Sequence, residues 1–331
     1  MTALADILPS VSSTVQLICD HYKLIGDSEP ARGYLGASIV GHSCSRYLWF
    51  TFRACCKSDC PGRIYRLFET GHREETRLLQ NLRDIGCEVY DLDENGEQYG
   101  ISDFGGHFSG HIDCVVVGLK EAPNTPHVGD CKTFSAKRFK AFKDKGIKVS
   151  DPKYYCQLQS YMHYLKLDRG FILGQNKDTD ELWLERVHYN RAEALDLVAR
   201  AKQIITATEP PPRLSDRPDY YECKFCDAHD ICWGCEKALP LPVISCKQCC
   251  YATPEIKNGE WSCTKHGHGY MITEKTCPDH LCLPELFPYA EPTDFTDGLI
   301  CFKNKDDGKE WQHGGFCHST KELLTMTREE L

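Results

Sequence analysis

No apolar run in this chain approaches the roughly 18–20 residues that a bilayer-spanning helix needs, so no membrane partner is expected. The first residues, Met1-Thr2-Ala3-Leu4-Ala5-Asp6, lack the basic start and apolar core of a signal peptide. The expectation is a cytoplasmic protein. Repeats and low-complexity tracts are also missing. So is any excess of positive charge, because 39 Lys and Arg stand against 48 Asp and Glu, a net charge of −9. That balance excludes a surface that coats nucleic acid wholesale. What remains is an ordinary soluble composition, 41% hydrophobic and 26% charged, over 331 residues. Such a length suggests two domains, or one large domain with an appended module.

Cysteine, by contrast, is abundant, with 21 residues. In a reducing compartment structural disulfides are rare, so clustered cysteines point to bound metal. Positive charge, scarce overall, is concentrated. Residues 132–153 hold eight Lys or Arg against two Asp, whereas residues 240–331 hold nine against fourteen acids. A phosphate backbone would be drawn to the first stretch. Lys137, Arg138, Lys140, Lys143 and Lys145 are its candidate DNA contacts.

Apolar periodicity predicts an amphipathic helix over residues 4–24 and a longer one from Arg63 to Ile85, with Leu67, Leu78, Leu79, Leu82 and Ile85 as its stripe. Gly71 inside the second helix costs roughly 1 kcal/mol against alanine, which suggests the close approach of another element. His72 and Glu75, three apart, share a face there. Strands are expected at Glu88–Leu92, His107–Leu119 and His127–Thr133. A helix over Pro152–Leu167 follows, then strands at Gly170–Gln175 and Glu181–Val187. A last helix, Arg191–Thr206, precedes the stiff spacer Pro210-Pro211-Pro212. This order describes a mixed α/β core flanked by helices.

The chemistry concentrates between Gly110 and Tyr161. Asp113 precedes the apolar run Cys114–Val117, and Asp130-Cys131-Lys132 lies on the next strand. Hydrolysis of a phosphodiester needs an activated water and neutralised phosphoryl charge. Bound Mg²⁺ or Mn²⁺ supplies both when oxygen ligands hold it. Asp113 and Asp130 are such ligands, and the backbone carbonyl of Cys131 is a further candidate. Lys132 shares the face of Asp130 by strand alternation and can stabilise developing negative charge. Gln157 and Tyr161, one helical turn apart, can support the site.

Taken together, these residues resemble the PD-(D/E)XK nuclease superfamily, in its RecB-type branch of phage exonucleases and CRISPR-associated adaptation nucleases. The likeness spans roughly residues 36–235. The proline of the family's name is absent, Ile112 standing before Asp113. The resemblance implies a restriction-endonuclease-like core, a mixed sheet flanked by helices. It implies Asp113 and Asp130 as metal ligands, Lys132 as the catalytic lysine, and Gln157 and Tyr161 as the supporting motif. Gly71-His72 and Glu75 match a further element, which implies His72 as ligand to a second metal, with Glu75 its rival or partner. The implied activity is metal-dependent hydrolysis of DNA, as an exonuclease on duplex ends or single strands, with 5′→3′ polarity weakly favoured. The implied setting is phage-type recombination in a bacterial or phage-infected cytoplasm, with a recombination or annealing protein as a partner and an oligomer allowed. The alternative is a DNA-binding or assembly protein whose core has lost activity and whose cysteines hold structural zinc.

Beyond the proline spacer, Cys223-x₂-Cys226-x₅-Cys232 has the spacing of metal ligands. Spacing alone favours Cys235 as the fourth, in a local zinc site. The resemblance favours Cys44, because iron–sulfur members of the branch use one cysteine before the core and three after it. It implies a [4Fe–4S] cluster on Cys44, Cys223, Cys226 and Cys232. Cys55, Cys56 and Cys60 form no recognisable set. Further on, Cys246, Cys249, Cys263 and Cys277 suggest a closed zinc site in a zinc-ribbon-like β module, with His280 as a substitute ligand. His266 and His268 are expected to face solvent, and the tail is expected to form a β-hairpin and a polar helix. The implied division is an N-terminal helical segment (1–35), a nuclease domain (36–238) and a cysteine-rich module (239–331).

Overall fold

The computed structural model describes residues 13–29, 32–268, 277–296 and 298–331. The part of the first predicted helix ahead of residue 13 lies outside them. The described helix, α1 (Thr14–Ser28), starts at Ser13, whose side chain accepts the Gln16 N–H, and buries none of its residues. It lies along the N-terminal half of α3 (Gly62–Asp84), where the Tyr22 hydroxyl donates to Glu69. Before α3 come β1 (Leu35–Gly36) and α2 (Ser45–Phe52). In α2, Leu48, Trp49, Phe50 and Phe52 are all buried.

After α3 the chain forms β2 (Glu88–Tyr90), β3 (Gly100–Asp103), β4 (Phe108–His111), β5 (Cys114–Val117) and β6 (His127–Phe134). Three helices follow, α4 (Ala136–Lys145), α5 (Ile147–Ser150) and α6 (Pro152–Leu165). Then come β7 (Arg169–Asn176), β8 (Leu182–His188) and α7 (Arg191–Thr206). The turn between α4 and α5 needs Gly146, whose φ of +76° is one that side-chain-bearing residues rarely adopt. Pro152 opens α6, where its missing N–H leaves no bond unmade.

The main sheet runs β2-β5-β6-β7-β8. Its one parallel pair is β6 with β7, and α4 to α6 form the crossover that a parallel pair requires. Successive side chains of β6 point to opposite faces. Cys131 packs with Leu78, Leu79 and Leu82 of α3, while Val128 and Phe134 pack with Leu158 and Met162 of α6 in the larger core. Asp130 and Lys132 share the parity of Val128 and Phe134, so the main sheet aims them toward α6.

The expected strand His107–Leu119 is instead two strands in two sheets. β4 belongs to a small sheet, β1-β4-β3, and β5 to the main one. Ile112, Asp113 and Cys114 are buried in succession. A continuous strand with one solvated face cannot bury three neighbours, so the chain turns there and the turn carries Asp113. Gly71 also departs from expectation, since a side chain added there would meet nothing within 4 Å. It faces open space.

The C-terminal part contains short helices α8 (Tyr221–Lys224) and α9 (His229–Trp233), then the antiparallel sheet of β9 (Ala252–Pro254), β10 (Trp261–Cys263) and β11 (Gly267–His268). In place of the expected hairpin there is a second three-stranded sheet, β12 (Ala290–Thr296), β13 (Leu299–Asn304) and β14 (Glu310–Gly314), followed by the single turn α10 (Thr320–Leu323). Phe287, Phe302 and Trp311 fill its inner face, with Phe302 and Trp311 stacked at 4.4 Å. These residues and those of α2 belong to one continuous hydrophobic cluster.

Candidate functional site

Asp113, at the turn between sheets, and Asp130, on the central strand, are 8% and 0% exposed. One Asp113 oxygen accepts the backbone N–H of Cys131 at 2.8 Å, which ties the turn to β6. The Lys132 ammonium lies 2.8 Å from Asp130 and 3.6 Å from Asp113, and also donates to the Cys131 carbonyl at 3.2 Å. The ring of Tyr154 covers it, 5.3 Å from the ring centre. Burial alone would depress this amine, but Asp130 and Asp113 outweigh it and hold the ammonium well above the ordinary lysine range.

From α6, the Gln157 amide donates to Asp130 at 3.3 Å and to the Tyr161 hydroxyl at 2.9 Å. Tyr161 donates in turn to the His111 carbonyl at 2.6 Å. Its ring fits against β4 because residue 110 is glycine. A Cβ there would lie 3.0 Å from the ring. The expected pair Gln157 and Tyr161 is thus a buried chain that fixes Asp130 and the strand end before Asp113. A Tyr161→Phe variant removes one hydroxyl from this chain and leaves the His111 carbonyl without its donor. A loss of about 1–3 kcal/mol in unfolding free energy is expected, measured by denaturant titration.

The third carboxylate comes from α3. Glu75 is half-buried, and burial followed by the charge of Asp113 pushes its carboxyl up to about 7. His72, its rival, is exposed on the same helix. The structure therefore brings Glu75 close enough to Asp113, Lys132 and Asp130 for their charges to act on it. Burial likewise pushes Asp130 up to about 7, Asp113 adding to the effect and Lys132 opposing it.

This donor set is oxygen-rich, as hard divalent cations prefer. The second oxygen of Asp130 is buried and accepts no hydrogen bond, a cost of about 1–3 kcal/mol that a cation would remove. Asp113, Asp130, Glu75 and the Cys131 carbonyl fit Mg²⁺ or Mn²⁺. With the protein otherwise free of metal, Lys132 serves as their counter-ion. Carboxyls that ionise near 4 when unfolded and near 7 here make the folded chain bind more protons between those values. Metal-free stability should then fall as pH rises from 4 to 7. Cation affinity should move the opposite way, tightening by about tenfold per pH unit for each proton displaced and levelling off above 7. Calorimetric Mn²⁺ titration at pH 5.5, 6.5 and 7.5 reads this directly, and a flat profile would contradict it.

The candidate DNA contacts lie on α4, all exposed. Arg138 pairs with Asp151, Lys140 with Asp144 and Lys143 with Glu181. Lys137 and Lys145 have no acidic partner among the described residues. The Lys140 and Lys143 pairs are exposed and worth only about 0–1 kcal/mol each, so they open readily to a phosphate.

Cys44, Cys223, Cys226 and Cys232 converge on one cavity of about 30 Å³. Cys44 is the N-cap of α2, and its sulfur accepts the Tyr47 N–H at 3.4 Å. Arg46 holds the proline spacer against α2 by donating to the carbonyls of Pro210 and Pro211. Cys235 lies elsewhere, in the cavity it shares with Asn304 and Asp306.

In the C-terminal module, Cys246, Cys249, Cys263 and Cys277 line one cavity with His266 and Asp279. His280 also lines it, but both of its ring nitrogens are engaged, Nδ1 with the Thr320 hydroxyl and Nε2 with the Ser245 carbonyl, each at 2.9 Å. It is a buried structural histidine and not a substitute ligand. His266 is exposed, as expected, and it also points its Nε2 at Asp279, 3.0 Å away, with Cys277 at 3.7 Å. The spacing Cys263-x₂-His266, a second knuckle, was the pattern that could have revealed it. The side chain of His268 lies outside the described residues.

No protein-family model and no curated protein matches the sequence. Among solved structures, similarity is found to SSO0001, with a TM-score of 0.40 and 15% identity over 70% of this chain and 99% of that one. It is also found to an alkaline exonuclease (LHK-Exo) from Laribacter hongkongensis, with a TM-score of 0.34 and 12% identity over 56% of this chain and 90% of that one. The same exonuclease in complex with dAMP gives 0.34 and 13%, over 52% and 86%.

Proposed function

We propose that this chain is a divalent-cation-dependent DNA nuclease, working as an exonuclease on duplex ends or single strands. The observation that carries the proposal is the convergence of Asp113, Asp130 and Glu75 around Lys132, with Gln157 and Tyr161 holding the arrangement from behind. Bound by these oxygens, Mg²⁺ or Mn²⁺ would lower the pKa of a water and neutralise phosphoryl charge.

The residues divide the remaining work. Asp130 is fixed on its strand by Gln157, so its orphaned oxygen is already aimed when a cation arrives. Asp113 is held by the Cys131 N–H and needs no reorganisation. Lys132 keeps its proton throughout, since the neighbouring acids hold it ionised. With a cation held by Asp130, its ammonium would be free to hold the attacking water or to stabilise charge on the phosphoryl oxygens. Lys137 and Lys145, with the loosely paired cations of α4, supply the backbone contacts that bring DNA to the site.

The converging Cys44, Cys223, Cys226 and Cys232 support the reading that a [4Fe–4S] cluster ties α2 to the chain after α7. Its role would be a staple, because the binding energy of such a group becomes folding energy.

The test is anaerobically purified protein with end-labelled linear DNA, single- and double-stranded, in Mg²⁺ or Mn²⁺. Mononucleotide release from ends supports an exonuclease, and internal cutting of closed circles would replace that part with an endonuclease. An Asp113→Ala, Asp130→Ala double variant that cuts as fast as the parent would sink the proposal.

A further inference from the structure

The main-sheet site makes no use of the cavity in the C-terminal module. We infer that this cavity is a second metal centre, binding one zinc-class divalent cation through Cys246, Cys249, Cys277 and His266. The inference does not rest on the nuclease reading.

Three observations carry it. First, among the described residues, the one group of three or more metal-ligating side chains whose donor atoms all lie within 4.8 Å of one another is His266, Cys277 and Asp279. Second, the separation of His266 Nε2 and Cys277 Sγ, 3.7 Å, is close to the edge of a tetrahedral site with Zn–S of about 2.3 Å and Zn–N of about 2.0 Å. Third, the knuckle Cys246-x₂-Cys249 lines the same small cavity, of about 10 Å³. Three thiols and an imidazole are soft and borderline donors, the set zinc selects and Mg²⁺ does not. Asp279 lies 3.0 Å from that same Nε2 and 3.2 Å from the Lys265 ammonium, so it holds the nitrogen that a cation would take over. Cys263, on the turn that bears His266, is the spare donor. Binding would release thiol protons to solvent and change no oxidation state.

The position gives the centre a consequence. Its first knuckle grips the end of α2 opposite Cys44. The Arg53 guanidinium donates to the Lys247 carbonyl at 2.9 Å and lies over the rings of Trp49 and Trp261. The buried Gln248 side chain donates to the Ala54 carbonyl at 2.7 Å. Trp261 stacks on Phe52 at 5.5 Å. A cation that fixes Cys246 and Cys249 therefore clamps the far end of the helix whose N-cap, Cys44, joins the other cysteine cavity.

Elemental analysis of the anaerobically purified full chain should find about one zinc per chain. Cys277→Ser and His266→Ala should each lose most of it and lower Tm, and Cys263→Ser should keep it. Should these variants fail to fold, the zinc K-edge spectrum of the unaltered protein is independent of any iron and should show sulfur with a nitrogen contribution. Absence of zinc from the purified chain overturns the site, as does full zinc in Cys277→Ser. An all-sulfur shell, or zinc kept by His266→Ala and lost by Cys263→Ser, overturns the ligand set.

Discussion

Lys132→Ala protein, assayed with Mg²⁺ or Mn²⁺ on end-labelled DNA, is expected to lose activity by at least about 10²–10³-fold while remaining folded. The loss follows from removing the one ammonium that faces both aspartates, at 2.8 and 3.6 Å, since a preorganised charge aimed at a transition state is worth that much. Survival of the fold follows from the same geometry. Removing one partner of a buried ion pair usually costs about 3–5 kcal/mol, because the other charge is stranded. Burial has already pushed Asp130 up to about 7, so it takes up a proton when its counter-ion is gone. The variant should therefore melt close to the parent at pH 6 and fall behind it above pH 7. Thermal melts across that range, beside the cleavage assay, separate a chemical role from a structural one. Full activity would remove Lys132 from the mechanism.

Cys226→Ser should unfold or lose several kcal/mol of stability, together with all bound iron and sulfide, on the scale set by metal-coupled folding. Cys44→Ser should do the same, although it lies in a distant part of the sequence. Cys235→Ser should behave like the parent. This contrast is sharp because Cys235 is three residues from Cys232 yet lines another cavity, whereas Cys44 lines the same one. Iron, sulfide and zinc counts with a melting curve decide it. If Cys235→Ser loses the metal and Cys44→Ser keeps it, the centre is the local four-cysteine zinc site.

Much of the core was legible from the chain alone. An apolar strand with period-two alternation can hold Asp130 and Lys132 on one face in only one way, so their pairing needed no tertiary information. The helical spacing of Gln157 and Tyr161 was equally plain, and α3, α6, β6 and α7 begin or end within two residues of expectation. Other features needed the tertiary structure, for one common reason. The break at Ile112–Asp113 depends on which sheet each half joins. The approach of Glu75 to the aspartates depends on how α3 is rotated against the sheet. The approach of His266 to Cys277 depends on a turn between strands of three and two residues, too short to show a period.

Sequence by itself determined which residues could do chemistry here: the carboxylates, the lysine between them, and two families of clustered cysteines. Those properties belong to side-chain type and to spacing along one helix or strand, which local backbone geometry sets. The tertiary structure alone decided which of them meet. It brought Glu75 to the aspartates and Cys44 to Cys226, joining elements far apart in the chain. Such contacts are set by how the apolar faces of α2, α3 and the main sheet pack into a shared core, a property of the whole chain that no local spacing records.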